Sequence, residues 1–166
     1  MNCFSVQTAS IDTILLFFDD VFIPDDRVVG QPGNGWAQVI SELGYERSGP
    51  ERFLSAFRVL VEYSRELTSD ASDDQLSVLG RLVAHLITLR RMSISVAGML
   101  ENGETPITEA ALIKDVGNAY ERLVPEVVRL SQTRNPSARF LETLNQCVLH
   151  APSFTLRGGT REILKG

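Results

Sequence analysis

The chain has 166 residues, enough for one domain with a sizeable hydrophobic core, or for one domain and part of a second. With 16 Lys and Arg scattered among 21 Asp and Glu and a net charge of -5, it lacks the positive field that nucleic acid requires. Cys3 and Cys147 share no CxxC or Cys/His spacing, so neither a metal site nor a disulfide framework is indicated, and no run reaches the ~18 uninterrupted apolar residues of a membrane span. The start carries no basic stretch followed by a long apolar one, and a reducing, cytoplasmic compartment is the expectation.

Residues Ile11 to Ile23 read as extended, one or two strands built on Ile14-Leu15-Leu16-Phe17-Phe18 and Val21-Phe22-Ile23 and ended by Pro24-Asp25-Asp26. Gly30, Pro32, Gly33 and Gly35 then mark a linker, which divides the chain into a β segment over 1–33 and a helical domain over 34–166. Asn34 is a good N-cap, and Trp36, Val39, Ile40 and Leu43 recur at helical spacing toward Arg47. After Gly49-Pro50 an apolar stripe of Phe53, Phe57, Leu60, Val61 and Leu67 predicts a second helix ending near Thr68.

Ser72 followed by Gln75 matches a capping box, so the next helix should run from Asp73 to about Glu101, with Leu76, Leu79, Val83, Leu86, Ile94 and Ala97 as its apolar face. Asn102-Gly103 ends it and Thr105-Pro106 prepares another start. A further long helix takes Leu112, Val116, Ala119, Leu123, Val127 and Leu130 as its inward stripe, with Pro125 inside it and Asn135-Pro136 after it. Phe140, Leu141, Leu144, Val148 and Leu149 form a shorter helix that stops before Pro152. The fold expected is mainly α, an up-and-down four-helix bundle preceded by a short β segment.

The run from Ser153 to Ile163 joins a Gly158-Gly159 corner to Thr160, a residue able to cap a new helix, and clusters backbone N–H groups in a way that suits an anion. His85 and His150 have no positioned Ser or Cys partner and read as structural. Phe53, Phe57 and Tyr63, at helical spacing, read as core or subunit interface, and Arg90-Arg91 as a solvated face.

Three segments in order carry a resemblance: Phe18-Asp19-Asp20-Val21-Phe22-Ile23-Pro24 with Gly30 and Gly35-Trp36 behind it, then Glu46-Arg47, then Gly158-Gly159-Thr160-Arg161-Glu162-Ile163. In this order and spacing they are similar to the C-terminal part of the acyl-CoA dehydrogenase family of flavoproteins. The resemblance covers essentially this whole chain and the C-terminal half or less of a family member. It therefore implies that an N-terminal helical domain and most of a β-domain lie outside these residues, and that the chain alone is inactive and binds flavin weakly or not at all.

What the resemblance implies is an FAD-dependent α,β-desaturation of an acyl-CoA thioester, in which a carboxylate removes the α-proton and a hydride leaves the β-carbon for the flavin. Many members place the base just before the Gly-Thr of the terminal motif, where this chain has Gly158. Members similar to isovaleryl-CoA dehydrogenase carry it in a Glu-Arg pair that matches Glu46-Arg47, so the resemblance makes Glu46 the candidate base and Arg47 a substrate-orienting residue. Gly158, Gly159, Thr160 and Glu162 match positions beside the cofactor's diphosphate and adenosine end.

From the residues alone, Glu46 shares a helical face with Val39 and Leu43, at the edge of an apolar stripe, and is equally readable as an end-of-helix acid paired with Arg47 or Arg52. Thr160 and Glu162 are equally readable as a helix cap and a first-turn acid. The family's Arg, Phe-Gly and Gln, through which a neighbouring subunit holds the flavin, are replaced here by the acidic run Thr68 to Gln75. Partners implied are an acyl-CoA and a homo- or hetero-oligomer, dimer or tetramer, through the helical domain; the alternative is a non-catalytic helical subunit of such an assembly.

Overall fold

The computed structural model describes residues 4–10, 13–132 and 135–165, with side-chain surroundings from residue 17 onward; Cys3 and Ile11, where the extended stretch was expected to begin, lie outside them. The chain divides into two compact units, Met1–Gln38 and Val39–Gly166.

In the first unit, β1 (Phe4–Ser10) pairs antiparallel with β2 (Thr13–Phe18), Phe4 opposite Phe18 and Thr8 opposite Ile14, with an irregularity between Thr8 and Ser10. β2 is the expected strand. β1 escapes the sequence reading because its alternation, Phe-Ser-Val-Gln-Thr-Ala-Ser, is too weakly apolar to stand out. Asp19 to Ile23, expected to continue as strand, does not: Asp20 takes φ 48°, a left-handed corner that breaks the pleat.

Among the described residues six α-helices follow: α1 (Gly35–Ser48), α2 (Phe57–Glu66), α3 (Asp73–Glu101), α4 (Ile107–Leu130), α5 (Ala138–His150) and the short α6 (Arg161–Lys165). The Ser72 hydroxyl accepts from the Gln75 amide while the Gln75 side chain accepts from the Ser72 amide, which fixes the start of α3. Gly103, at φ 79°, ends it, with the Glu104 amide donating back to the Met99 carbonyl. α5 starts on a second cap, where the Ser137 hydroxyl accepts from the Phe140 amide at 3.2 Å.

Helices α2 to α5 share one core, α3 packing on α4, α2 on α5, and α4 touching all three. Tyr63, Phe53, Leu89, Ile113, Tyr120, Val124, Val128 and Phe140 are buried at its centre. The fold is thus mainly α, a four-helix bundle preceded by a short β segment, as the sequence predicts. Each fully buried large apolar side chain contributes roughly 1.5–3 kcal/mol by leaving water.

The inward faces differ from the expected ones. On α3 the buried residues are Val78, Leu82, Leu89 and Val96, while Leu76, Val83, Ile94 and Ala97 of the expected stripe are exposed. On α4 the buried face runs through Ala110, Ile113, Gly117, Tyr120, Val124 and Val128, and Leu112, Leu123 and Leu130 are exposed. Phe57, Leu141, Val148 and Leu149 are exposed as well. In each long helix two adjacent faces carry apolar residues, and the face that packs is set by the neighbouring helices rather than by hydrophobicity.

One glycine sets how close α4 comes to the segment before α2. A Cβ on Gly117 would lie 2.5 Å from the Arg52 carbonyl oxygen and 3.3 Å from Phe53 Cβ, a backbone approach that only glycine permits. Gly80 and Gly98, on α3, have nothing within 4 Å of their Cβ positions. Gly117→Ala is therefore expected to lower stability by about 1–3 kcal/mol despite alanine's better helix propensity, whereas Gly80→Ala should be neutral or stabilising by up to ~1 kcal/mol. Urea unfolding of the two variants checks this, and a Gly117→Ala protein as stable as its parent would refute the close-approach argument.

Candidate active site

The last turn of α1 carries Glu46, Arg47 and Ser48. Ser48 is buried, and its carbonyl accepts from the Ser93 hydroxyl of α3 at 2.6 Å, which anchors this turn to the bundle. Glu46 is half-buried, its side chain 34% exposed. Val39, on the same face, is exposed, so the apolar stripe beside Glu46 is open rather than sealed.

Arg52, buried at 5% exposure, binds Glu46 twice. Its Nε donates to the Glu46 backbone carbonyl at 3.0 Å, and its Nη2 pairs with Glu46 Oε1. Of the two pairings readable in the sequence, the structure has Arg52. Arg47 turns elsewhere, its Nε donating to the Gly158 carbonyl 3.0 Å away. The Glu46-Arg47 pair is thereby brought against the Gly158-Gly159 corner, more than a hundred residues further along the chain.

That corner is left-handed, with φ 64° at Gly158 and 93° at Gly159. A Cβ on Gly158 would lie 3.0 Å from Glu46 Oε1 and 3.4 Å from Lys114 Cε. The space a side chain would take at Gly158 is therefore bordered by the Glu46 carboxylate.

Beneath the corner lies a group of residues that the sequence reading passed over. Lys114, Asn118 and Glu121, at positions i, i+4 and i+7 on the buried face of α4, are each 0% exposed. Lys114 Nζ donates to the Gly159 carbonyl. In the amide orientation that satisfies both ends, Asn118 donates to the Phe154 carbonyl at 3.1 Å and accepts from Lys114 Nζ at 3.1 Å. Glu121 accepts from the Ser55 amide at 2.8 Å and from Arg157 Nη2 at 2.9 Å.

A buried charge or amide without partners is costly, and these three find theirs in residues 154–159, in the Ser55 amide and, for Lys114 and Asn118, in each other. The signal was present in the sequence. Residues 114, 118 and 121 lie in phase with Ala110, Ile113, Gly117 and Val124, but the stripe chosen there ran along the adjacent face.

Burial lowers the proton affinity of Lys114, with the nearby Arg52 and Arg47 cations acting in the same direction. Burial raises that of Glu121 against the opposing hydrogen bonds from Ser55 and the charge of Arg157. Burial also pushes the free Cys147 thiol up to about 11, which makes it inert at neutral pH.

Thr160 and Glu162 stand apart from Glu46, around α6. The Thr160 hydroxyl accepts from the Ile163 amide at 3.4 Å, and the Glu162 carboxyl is held below its usual range by its own backbone amide and by Thr160. Arg161 is committed to Asp115, its Nε donating to Oδ1 at 2.5 Å. The structure thus brings Glu46, Arg47, Gly158 and Gly159 together and leaves Thr160 and Glu162 on the adjoining helix.

The acidic run after α2 borders a cavity of about 840 Å³ lined in part by Thr68, Asp70, Ser72, Asp74 and Arg65, with none of the Glu46 group on its walls. His85 packs edge-on to Tyr120 with ring centroids 5.8 Å apart. Arg90 and Arg91 are exposed, as expected.

No family model matches the chain. Among curated proteins, the acyl-CoA dehydrogenase FadE34 of Mycobacterium tuberculosis is 25% identical over 154 residues, which is 90% of this chain and 21% of that protein. The chain thus spans about a fifth of the length of the relative it matches.

A pH measurement tests the buried ladder. An acid whose folded-state proton affinity is raised contributes stability in full below its ordinary value of 4.5, and loses it as pH climbs from there toward the raised value. Glu121→Gln, which does not titrate, should therefore gain on the parent protein as pH rises from about 4 to 7. Urea midpoints across that range report the difference; a gap that is flat, or that widens in the parent's favour, would contradict the assignment. The chain is similar to an acyl-CoA dehydrogenase along nearly its whole length.

Proposed function

We propose that this chain is the C-terminal helical domain of an FAD-dependent acyl-CoA dehydrogenase in which Glu46 is the base that takes the α-proton of the acyl thioester. The observation that carries the reading is the meeting of Glu46 with the empty side-chain position of Gly158, 3.0 Å from Oε1. A carboxylate that approaches the substrate from α1 and one that approaches from the terminal motif would compete for the same volume. Glycine at position 158 leaves that volume to Glu46.

In this reading Glu46 receives the proton on a carboxylate oxygen, the α-carbon pair becomes part of the new double bond, and the β-hydride departs. FAD, when bound, accepts that hydride. Arg52 aims the carboxylate before the reaction, holding both its Oε1 and the Glu46 backbone carbonyl. Arg47 orients the substrate indirectly, by fixing the Gly158 carbonyl at the corner.

The chain's share of the cofactor site fits such a ligand in part. The Thr160 hydroxyl accepts from the Ile163 amide and hydrogen-bonds the Glu162 carboxyl, and would turn from that carboxyl to donate to a phosphate oxygen. Glu162, an ionised acceptor, suits a ribose hydroxyl and not a phosphate. Gly159 offers backbone access, since a Cβ there would meet only Arg47 Nη2, at 3.4 Å.

A second reading, a non-catalytic helical subunit, is favoured by the same Arg52–Glu46 pair, because that pair already engages Oε1, one of the two oxygens that would take the proton. The full-length protein, supplied with FAD and acyl-CoA, separates the two. Glu46→Gln is expected to slow flavin bleaching by at least about 100-fold, the usual contribution of general-base catalysis. Bleaching that survives the substitution at close to the parent rate removes Glu46 from the role, and a protein that stays colourless supports the non-catalytic subunit.

The oligomer belongs to the same proposal. Leu76, Val83, Ile87 and Ile94 fall within one narrow stripe on the outer face of α3, with Leu76, Ile87 and Ile94 each more than half exposed at 51%, 54% and 53%. We expect the double variant Ile87→Glu, Ile94→Glu to shift the full-length protein toward smaller species in sedimentation velocity without loss of helical signal. An unchanged sedimentation coefficient would take this stripe out of the interface.

A further inference from the structure

We propose that Lys114 is a positioning residue of this site: from its buried place on α4 it holds the Gly159 carbonyl, fixes the Gly158-Gly159 corner, and so sets where the Glu46 carboxylate stands. The inference rests on the reading of Glu46 as base and adds a residue that neither the sequence motifs nor the relative points to.

The geometry around the corner is two-sided. The vacant Cβ position of Gly158 is bordered by Glu46 Oε1 at 3.0 Å and by Lys114 Cε at 3.4 Å, so the carboxylate and the lysine stem touch the same point. Arg47 holds the Gly158 carbonyl and Lys114 holds the next one, at Gly159. Two cations on consecutive carbonyls pin a left-handed glycine pair that would otherwise be the most flexible backbone in the segment.

Packing alone gives no reason for a lysine here. An apolar side chain of similar length would fill the position without the cost of burying an ammonium beside Arg47 and Arg52. The charged groups around it are Arg47, Arg52, Glu46 and Asp115, and Asp115 is engaged by Arg161. Lys114 is therefore retained for what its ammonium holds, and that is the Gly159 carbonyl and the Asn118 side chain. Asn118 and Glu121 continue the hold to Phe154 and Arg157, so residues 154–159 form a strap on α4 with its tightest point beside Glu46.

The test uses the full-length protein with Lys114→Met and two readouts. Limited trypsin digestion followed by mass spectrometry measures cleavage after Arg157 and Arg161; the variant should be cut about tenfold faster, the scale of one lost charge-assisted hydrogen bond. With acyl-CoA as substrate, and rates normalised to bound flavin, kcat should fall about 10- to 100-fold while KM moves less than about twofold, because a misplaced base costs rate rather than binding.

The deuterium isotope effect with α-deuterated substrate should rise, which a general loss of folded protein would not produce. Cleavage at the parent rate overturns the proposal. So does faster cleavage with kcat and isotope effect unchanged in a protein that Glu46→Gln inactivates, a result that leaves the functional reading intact. If Glu46→Gln remains active, the functional reading fails by itself, and the cleavage rates still decide whether Lys114 holds the corner. Should Lys114→Met not fold, Asn118→Leu removes one of the two acceptors of Lys114 and is expected to move both readouts in the same direction by a smaller factor; no movement overturns the proposal.

Discussion

The arrangement of the C-terminal segment depends on one interaction, the burial of a polar ladder on α4. Lys114, Asn118 and Glu121 are wholly removed from water, and each would be destabilising there without a fixed partner. The partners are the Gly159 and Phe154 carbonyls, the Ser55 amide and the Arg157 guanidinium. Residues 151–160 bury only Phe154 as a large apolar side chain, so hydrophobic packing alone cannot specify their path. Directional hydrogen bonds do so instead, and a segment held this way has one position, because half-satisfied arrangements leave a charge unpaired.

The site at Glu46 inherits its geometry from that constraint. Gly117, in the same helix as the ladder, lets α4 touch the backbone at Arg52, and Arg52 in turn grips Glu46 by both its carbonyl and its carboxylate. The ladder delivers the Gly158 corner to the same place from the other direction. Orientation has a cost in this design: the guanidinium that aims the carboxylate also engages Oε1, one of the two oxygens a base could use. On the face of α1 that carries Glu46, Val39 is exposed and Leu43 half-buried among the described residues.

How much of this was legible in the sequence varies with the kind of signal. Helix ends were readable where a local hydrogen bond defines them: the Ser72/Gln75 box and the Gly103 stop bound α3 at the expected residues. The packed faces were misread on α3 and α4 because both helices carry apolar residues on two adjacent faces, and only the neighbours decide between Leu76-Val83 and Val78-Leu82. That error also hid the ladder, since polar residues draw attention only on a face believed to be buried. The approach of Glu46-Arg47 to Gly158-Gly159 has no local signature. It came from the family resemblance, and the contacts across the chain give it a physical form.

The second apolar face of α3 follows from the same competition. α3, 29 residues and about 44 Å long, packs along one side only. Its inner face spends Val78, Leu82, Leu89 and Val96 on the core, and the outer row of Leu76, Val83, Ile87 and Ile94 remains in contact with solvent. Scattered apolar residues on a surface need no explanation, but four in register over five turns do. The polar strap on α4 leaves this outer row free, because it fastens the C-terminal segment through carbonyls and charges and uses little of the bundle's apolar surface. The outer row of α3 thus stays clear of the contacts that assemble the candidate site, which are polar.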